Sequence, residues 1–502
     1  MDSRTGVLGR WPHMTATQPP ARSRPSALLA VLLVASFLVS ADSTITNVAT
    51  PSIRASLGAS GSDAQFVVGG YLVAYAVLLI TGSRLGQTHG YKRLFLAGVS
   101  GFGLCSLAAG LAPDVGVLIA TRVLQGASAA LMLPQVLTGI QLHFDGERRA
   151  RAIGLHAAAL AVGAAAGQVL GGVLISADIA GETWRPAFLI NVPVCLVALL
   201  FGANILPADD RHARRSLDLR GVAILSVAVV CLVVPLTVGP DTGWSARIWA
   251  TLAASIPALA LFLLTERRAL NNGRAPLVNT AIISRPAIGL GMIGLASSYA
   301  TYFALLFTLA QYLQTGLHHS ALFSGLILVP WAVAFGLAGQ TRRYLPSRLV
   351  PALPVAGFVL LAVVYLAIGA SGLTGALSTS LLAILFVPGG FGLGLLFTAL
   401  LGHVMGAAPH QHAPDISGVS ATATQIGGSL GVAGFGTLYL TSAHTHSPGH
   451  SLGITAVALS ATALVASIPT YLATRRRRPQ DEAPYPWRTR LEAEPVAESH
   501  PR

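Results

Sequence analysis

Long apolar runs recur along almost the whole chain of 502 residues and limit what it can fold into. A helix that crosses the hydrocarbon core of a bilayer needs about 20 mostly apolar residues. Segments that meet this requirement lie at approximately 26–50, 64–84, 93–112, 115–140, 152–176, 186–206, 217–238, 247–266, 284–313, 321–341, 349–371, 376–405, 417–442 and 451–473. The sequence therefore predicts an all-α polytopic membrane protein with 14 transmembrane helices.

The composition excludes several classes of protein. Hydrophobic residues make up 53% of the chain and charged residues only 10%, whereas a soluble domain carries about 25% charged residues. The net charge of +13 comes from Arg clusters between the apolar runs, which is typical of membrane loops rather than of a nucleic-acid groove. The single lysine, Lys92, cannot complete the phosphate loop of an ATP-driven pump. The 3 cysteines have no C-x-x-C partner, so no metal, disulfide framework or cofactor is expected.

The distribution of basic residues predicts the orientation of the spans, because cytoplasmic loops carry an excess of Lys and Arg. If both tails and the loops after even-numbered spans are cytoplasmic, 28 of the 32 basic residues lie on that side. Arg54, Arg185 and Arg247 lie on the other side, and Arg122 falls within the fourth span. The first span lacks the short apolar core and exit site of a signal peptide. We therefore expect an uncleaved multi-pass membrane protein with both termini in the cytoplasm.

Two charged residues lie at membrane depth, Asp42 in the first span and Arg122 in the fourth. A charge at the bilayer centre costs roughly 2.5–3.5 kcal/mol on insertion scales, so such residues are functional candidates. With a rise of about 1.5 Å per helical residue, their depths are compatible with contact, directly or through a water molecule. The alternative is a structural ion pair that only holds two helices together.

Motifs in both halves of the chain carry a family resemblance. They are ADSTITNVATP (Ala41–Pro51), GSRLGQTHGYKR (Gly82–Arg93), TRVLQGASAA (Thr121–Ala130), GAAAGQVLGG (Gly163–Gly172), WRPAFLINVP (Trp184–Pro193), LAQYLQTGLHHSALFSGLILVP (Leu309–Pro330) and SGVSATATQIGGSLGVAGFGTL (Ser417–Leu438). In this order and spacing, the chain resembles the major facilitator superfamily, and specifically its fourteen-helix drug:proton antiporter branch. The resemblance implies a major-facilitator-like fold in a 6 + 2 + 6 arrangement of helices.

The same resemblance divides the chain into five parts. They are an N-terminal tail at 1–25, a six-helix bundle at 26–206, a two-helix insertion with flanking loops at 207–283, a second six-helix bundle at 284–473, and a C-terminal tail at 474–502. The glycine-rich thirteenth span is then the counterpart of the fifth, as expected of a weak internal repeat. Both tails are expected in the cytoplasm, and the C-terminal tail is expected to be disordered.

The resemblance implies a proton-coupled secondary transporter of a bacterial inner membrane. It would export hydrophobic small molecules, such as a drug, an antibiotic or a secondary metabolite, by alternating access. Asp42 and Arg122 would couple transport to protons. Supporting and gating roles fall to Gln125, Gly126, Gln87, Gly90, Lys92, Arg93, Gly163, Gly167, Gln168, Gly171 and Gly172. Polar residues on apolar helices are candidates for the substrate cavity, although interhelical hydrogen bonding explains them equally well. They are Asn47, Gln135, Gln311, Gln314 and Gln425.

Some positions depart from the family's motifs. In the loop at 82–93, Ser83 and Gln87 stand where the family has a glycine and an acidic residue, so the loop lacks the family's acidic charge clasp. In the fifth span, Gln168 stands where the family has a proline, so the helix has no built-in kink. These differences weaken the inference of antiport but leave the fold prediction unchanged.

Other interpretations remain open. His156 and His403 could titrate near neutral pH and relay protons, although structural hydrogen bonding is the commoner role for such residues. The chain could take up a metabolite with protons, or act as a membrane sensor or lipid-handling protein. An enzyme is not expected, because the sequence has no H-E-x-x-H, no G-x-S-x-G and no paired intramembrane carboxylates. The expected partners are a small-molecule substrate, protons and the lipid bilayer, with no nucleic acid, and the protein is expected to be monomeric.

Overall fold

In the residues that it describes, the computed structural model is helical. It describes residues 25–181, 183–207, 219–239, 242–272, 276–278, 280–341, 346–407 and 413–475. The α-helices are α1 Pro25–Leu57, α2 Gly61–His89, α3 Tyr91–Gly110, α4 Val115–His143, α5 Gly146–Ser176, α6 Pro186–Leu189, α7 Asn191–Ile205, α8 Leu219–Val238, α9 Ala246–Asn271, α10 Thr280–Ile283, α11 Pro286–Ala310, α12 Ala321–Leu326, α13 Val329–Thr341, α14 Leu353–Leu373, α15 Thr379–Ala407, α16 Ala413–Ala443 and α17 Pro448–Arg475. A π-helical turn at Gln311–Gly316 continues α11.

The described parts of the chain contain 13 helical stretches that are long and apolar enough to cross a membrane. A helix satisfies its backbone N–H and C=O groups internally, as the hydrocarbon interior of a bilayer requires. The chain is therefore a multi-pass, all-helical membrane protein. The predicted span 417–442 lies within α16, a helix of 31 residues that is not among the 13.

Some predicted spans are interrupted rather than continuous helices. Span 186–206 is divided at Ile190 between α6 and α7, and span 321–341 is divided between α12 and α13. Pro193 and Pro330 lie just after these breaks. Proline has no N–H to donate to the carbonyl four residues earlier, so the helical hydrogen bonding fails there.

The long helices pack into two bundles. In the first bundle α1 packs against α5, and α2 and α3 pack against α4; in the second, α11 packs against α16, and α14 packs against α15 and α17. The first bundle's core contains Leu32 and Phe95, and the second bundle's core contains Leu361 and Phe386. The pair α8 and α9 lies beside them, with α8 in contact with α2 and α16.

The two bundles contact each other through α2 with α16 and through α5 with α12. We call the membrane side on which α1 ends the Arg54 side, and the side on which α2 ends the Lys92 side. The contact of α5 with α12 lies near the Arg54 side. There, a Cβ atom built on Gly172 would lie 2.7 Å from the carbonyl oxygen of Ala321. The bundles thus touch backbone to backbone at this end.

Candidate functional site

A buried ion pair lies inside the first bundle. Nη1 of Arg122 on α4 donates a hydrogen bond to Oδ2 of Asp42 on α1 over 2.5 Å. The exposed fractions of the two side chains are 1% and 0%. The sequence left open whether Asp42 and Arg122 touch directly or through a water molecule. In the structure they touch directly. By comparison, the pair Arg149 and Asp145 lies at the surface.

Amide side chains from other helices complete the surroundings of the Asp42 carboxylate. Its Oδ1 accepts hydrogen bonds from Nε2 of Gln125 over 2.9 Å and from Nδ2 of Asn191 over 2.8 Å. The same Gln125 nitrogen donates to Oγ of Ser106 over 2.8 Å. All of these side chains are buried. We call Asp42, Ser106, Arg122, Gln125 and Asn191 the Asp42 site; it joins α1, α3, α4 and α7.

The guanidinium of Arg122 is held from several directions. Its Nε donates to the backbone carbonyl of Val67 over 3.1 Å, and its Nη1 also donates to Oε1 of Gln125 over 2.6 Å. Its Cζ lies 4.4 Å from the ring centroid of Tyr71 and 5.6 Å from that of Phe188. Aromatic faces attract a desolvated cation, so these rings stabilise the charged side chain away from water.

The sequence of α4 explains why these groups meet. Residues three apart lie on one face of a helix, so Arg122 and Gln125 both point toward Asp42. The next residue, Gly126, allows α2 to approach closely. A Cβ built on Gly126 would lie 2.3 Å from the carbonyl oxygen of Tyr71, and this approach places the Tyr71 ring over the guanidinium.

Several contributors to this environment were not identified from the sequence. Asn191 lies in the motif Trp184–Pro193. Its amide inside an apolar run could have identified it as a candidate for hydrogen bonding between helices. Ser106 and Tyr71 carry no such signal, because serine and tyrosine are common in membrane helices. Their roles depend on the positions of α2 and α3 relative to α4.

The Asp42 site has two charge states with different consequences. When Asp42 is ionised, the pair with Arg122 is neutral overall and the carboxylate accepts hydrogen bonds from three side chains. When Asp42 is protonated, Arg122 becomes a buried cation without a counter-ion, which is costly. The contact between α1 and α4 is therefore sensitive to the charge of Asp42.

Glycines of α5 bring that helix against α1 beside Asp42. Cβ atoms built on Gly163 and Gly167 would lie 2.6 Å and 2.3 Å from backbone carbonyl oxygens of α1, and one on Gly171 would lie 2.8 Å from the Ile45 side chain. Gln168 lies in the same stretch, and its amide atoms are buried without hydrogen-bond partners among the described residues. The small-residue stripe is thus a face of close helix packing.

The substitution Gly167→Val tests this packing. The added side chain would collide with the backbone of α1 at Ala41, so we expect a loss of stability of about 1–3 kcal/mol. A fall in the melting temperature of the purified protein in detergent would show it. Gly154→Val is the matched control, because nothing lies within 4 Å of a Cβ built on Gly154 in the same helix. Equal effects of the two substitutions would contradict the prediction.

The loop motif lies on the Lys92 side, between α2 and α3. Gly90 has φ +96°, a conformation that favours glycine, and allows the tight turn there. Nζ of Lys92 donates to the carbonyl oxygens of Ala203 and Leu206 over 2.8 Å and 2.7 Å, near the carboxyl end of α7. Such a cation stabilises a helix end. Gln87 and Arg93 are exposed; the structure places them on the surface of this side.

Two cavity candidates bind backbone carbonyls of neighbouring helices. Gln135 is buried, and its Nε2 donates to the carbonyl oxygen of Gly82 on α2 over 2.9 Å. Nε2 of Gln314 donates to the carbonyl oxygen of Val48 on α1 over 3.0 Å. Both residues therefore make the interhelical hydrogen bonds that the sequence left open as an alternative, and Oε1 of Gln135 is in addition buried without a partner among the described residues.

The remaining cavity candidates retain polar atoms without a hydrogen-bond partner among the described residues. Oε1 of Gln311, near the Arg54 side, accepts from Nη1 of Arg54 over 3.2 Å. Three buried amide atoms have no partner among the described residues: Nε2 of Gln311, Oδ1 of Asn47 and Oε1 of Gln425. Because an unpartnered polar atom can bind a polar ligand atom, these three residues remain candidates for the substrate cavity, and so does Gln135.

The histidines noted in the sequence have local partners. His156 is buried on α5, and its Nδ1 lies 2.8 Å from Oγ of Ser36 on α1. Nε2 of His403 lies 3.1 Å from the carbonyl oxygen of Ala473. The described residues contain no group of three or more His, Cys, Asp or Glu side chains that could hold a metal ion.

Comparison with known proteins identifies relatives over most of the chain. The sequence model of the Major Facilitator Superfamily matches residues 32–432. A probable actinorhodin transporter of Streptomyces coelicolor is 34% identical, over 86% of this chain and 75% of that protein. The tetracenomycin C resistance and export protein of Streptomyces glaucescens is 34% identical, over 83% of this chain and 76% of that protein. A puromycin resistance protein of Streptomyces alboniger is 32% identical, over 81% of this chain and 80% of that protein.

Solved structures share the fold at low sequence identity. A bacterial homologue of the human lysosomal transporter Spinster, in an inward-facing and occupied conformation, has a TM-score of 0.64 and 17% identity, over 91% of this chain and 98% of that chain. The xylose transporter XylE of E. coli, in a partially occluded inward-open conformation, has a TM-score of 0.57 and 14% identity, over 88% of this chain and 97% of that chain. At such identity the likeness concerns the fold alone.

Proposed function

Because this chain belongs to the major facilitator superfamily, we propose that it is a proton-coupled secondary transporter that exports hydrophobic small molecules by alternating access. The observation that carries the proposal is the fully buried pair of Asp42 and Arg122, with partners on several helices. An ionisable residue inside a membrane bundle marks a proton or substrate pathway by default. Proton re-entry would supply the driving force for export.

In the proposed cycle, Asp42 takes up a proton from outside the cell and its ion pair with Arg122 opens. The two bundles then rock about the space between them, as in other transporters built from repeats. Release of the proton on the inner side allows Arg122 to pair with Asp42 again. Gln125 and Asn191 hold the carboxylate in place when it is ionised.

We also propose the finer topology. The fourteen spans are arranged as 6 + 2 + 6, with α16 as the thirteenth span and with domain boundaries at 26–206, 207–283 and 284–473. The Lys92 side faces the cytoplasm of a bacterial cell, and both tails, 1–25 and 474–502, lie there. The excess of basic residues in loops on this side supports the orientation. The tails and most of the segment 207–220 lie outside the described residues. The protein is proposed to act as a monomer.

Supporting roles follow from the contacts. Gly126 and the α5 stripe of Gly163, Gly167, Gly171 and Gly172 allow neighbouring helices to lie close and shift against each other. On the Lys92 side, the turn at Gly90 and the Lys92 contact with α7 hold the inner gate, where Gln87 and Arg93 are exposed. Gln168 supplies polar atoms beside α1.

The proposed substrates are antibiotics or other secondary metabolites. The relatives described above are named for actinorhodin, tetracenomycin C and puromycin, which supports extending antibiotic export to this chain. Asn47, Gln311 and Gln425 would provide polar contacts in the cavity. No buried carboxylate is found in the described part of the second bundle, which favours neutral or weakly charged substrates.

The direction and driving force of transport can be measured in everted membrane vesicles. A panel of antibiotics is first tested for raised resistance in a pump-deficient host that expresses the chain. For each active compound, we expect uptake into everted vesicles when the lumen is acidified, and loss of that uptake when a protonophore collapses the gradient. Flux in the opposite direction would indicate metabolite import. Silent flux with every compound would favour the sensor or lipid-handling alternative.

A further inference from the structure

The bundles meet along two seams, which are the lines where a helix of one bundle lies against a helix of the other. The seam of α2 with α16 has contacts at both ends. A Cβ built on Gly61 would lie 2.8 Å from the Leu440 side chain, and one on Gly418 would lie 3.7 Å from the Ile80 side chain. Between Gly61 and Ile80, α2 rises by about 28 Å, which is close to the thickness of the hydrocarbon core. This seam is therefore closed over most of the membrane.

Helix α8 covers the part of this seam that lies toward the Lys92 side. Val222 and Leu225 of α8 belong to one buried apolar cluster with Val77 and Ile80 of α2, and Ile426 of α16 packs against the same cluster. The helix thus contacts both sides of the seam. The bundle boundary is shielded from lipid along this flank of the molecule.

The other seam, of α5 with α12 and α13, is closed only toward the Arg54 side. There, a Cβ built on Gly325 of α12 would lie 2.2 Å from the carbonyl oxygen of Gln168 on α5. Toward the Lys92 side, no described atom of a neighbouring helix lies within 4 Å of a Cβ built on Gly154 of α5 or on Gly336 of α13. Both glycines are exposed. The seam is thus open in the half of the membrane that lies toward the Lys92 side.

The burial pattern of α5 shows the same separation. In the stretch 151–158 the only buried residues are Ala152 and His156, and His156 contacts Ser36 of α1. Ala157 lies 11 residues before Gln168, which is about three helical turns, so both point in nearly the same direction. Gln168 is buried beside α12, whereas Ala157 is exposed. In this stretch α5 therefore has a close neighbour only on its α1 side.

The walls of this gap are apolar and uncharged. No Asp, Glu, Lys or Arg occurs in 152–172 or in 321–339. Ile153 and Leu155 of α5 and Val333 and Leu337 of α13 are exposed. Moving a charged group into such surroundings is costly, whereas an apolar molecule is favoured there over water. We call the gap between 151–158 and 333–337 the α5/α13 opening.

We propose that the α5/α13 opening is the entrance through which neutral, lipophilic substrates pass sideways from the bilayer leaflet on the Lys92 side into the space between the bundles. The opening continues directly from the contact of α5 with α12, so it lies on the interface between the bundles. The closed seam of α2 with α16 offers no second lateral route. This inference rests on the proposed function, because the molecule that enters is the exported substrate.

Labelling with N-(1-pyrenyl)maleimide, a neutral lipophilic reagent, tests access without a proton gradient. The full chain is placed in lipid nanodiscs, with Cys105, Cys195 and Cys231 replaced by alanine, and carries Ala157→Cys or Leu155→Cys as its single thiol. Residues two apart on a helix point about 160° apart, so at nearly the same depth Ala157 points toward the second bundle and Leu155 points away from it. We expect both thiols to react with the reagent from the bilayer.

A tryptophan placed in the opening should separate the two thiols. Gly336→Trp should slow the labelling of Ala157→Cys by about tenfold, because the indole fills the gap between the helices, and should leave the labelling of Leu155→Cys unchanged. Val363→Trp is the matched control, because this exposed residue of the same bundle lies on α14, away from α5. If Gly336→Trp does not fold, Val333→Trp fills the same opening.

The outcomes separate this inference from the proposed function. An unreactive Ala157→Cys beside a reactive Leu155→Cys would overturn the entrance and would leave the opening as a gap filled by lipid acyl chains only. Labelling of Ala157→Cys that a tryptophan in the opening leaves unchanged would also overturn it, since the reagent would then arrive by another route. Flux of every antibiotic is measured separately in vesicles. Silent flux combined with labelling that the tryptophan blocks would contradict the proposed function, while the opening would still admit lipophilic molecules.

Discussion

Asp42→Asn is expected to abolish proton-coupled efflux while the protein still inserts into the membrane. The substitution keeps the size of the side chain but removes the group that takes up the proton. Drug accumulation in everted vesicles under an imposed pH gradient measures the effect, and we expect it to fall to the level of vesicles without the protein. Resistance of the host to the same drug should be lost in parallel.

A matched control for this substitution is Asp145→Asn. The Asp145 side chain is 95% exposed and pairs with Arg149 at the surface, where an ion pair is worth only about 0–1 kcal/mol. The same chemical change there should leave efflux intact. Full gradient-driven efflux by Asp42→Asn would show that the pair with Arg122 is only structural.

Arg122→Met is expected to destabilise the protein strongly. The substitution leaves the Asp42 carboxylate buried with only amide donors from Gln125 and Asn191. Removing one partner of a buried pair typically costs about 3–5 kcal/mol. The melting temperature of the purified protein in detergent should therefore fall markedly, and efflux should be lost.

The double substitution Asp42→Asn with Arg122→Met separates stability from transport. It removes both charges, so the melting temperature should recover much of the loss seen in Arg122→Met, while efflux remains absent. Arg149→Met is the control, because its ion pair is exposed. A double variant no more stable than Arg122→Met would contradict a direct interaction between the two charges.

Most of the membrane architecture could be predicted from the sequence. The length of the apolar runs predicts helices, and 13 stretches in the described residues have the required length and hydropathy. The breaks before Pro193 and Pro330 could also have been anticipated, because proline removes a backbone donor. The predicted span 417–442 corresponds to α16, although its glycine and polar residues make it less apolar than its neighbours.

The candidate site was only partly predictable. Asp42 and Arg122 were identified because an isolated charge in an apolar run needs no knowledge of the fold to be noticed. Gln125 was named as a supporting residue through the family resemblance, and its place on the same helix face as Arg122 agrees with its spacing of three residues. The role of Asn191 could not be predicted because it depends on how α7 packs near α1. The hydrogen bond of Gln135 on α4 to Gly82 likewise depends on how α2 packs against α4.

The sequence by itself determined the helical class, the presence of many long apolar segments and the pair of charges at membrane depth, because these depend on residues close together in the chain. The tertiary structure alone decided the partners. Asp42 contacts Arg122 across 80 positions and Asn191 across 149 positions in the chain. Tyr302 of α11 stacks on Trp331 of α13, which stacks on Tyr365 of α14, so this contact likewise depends on three helices. Contacts of this kind are determined by how helix faces pack, which no local pattern in the sequence records.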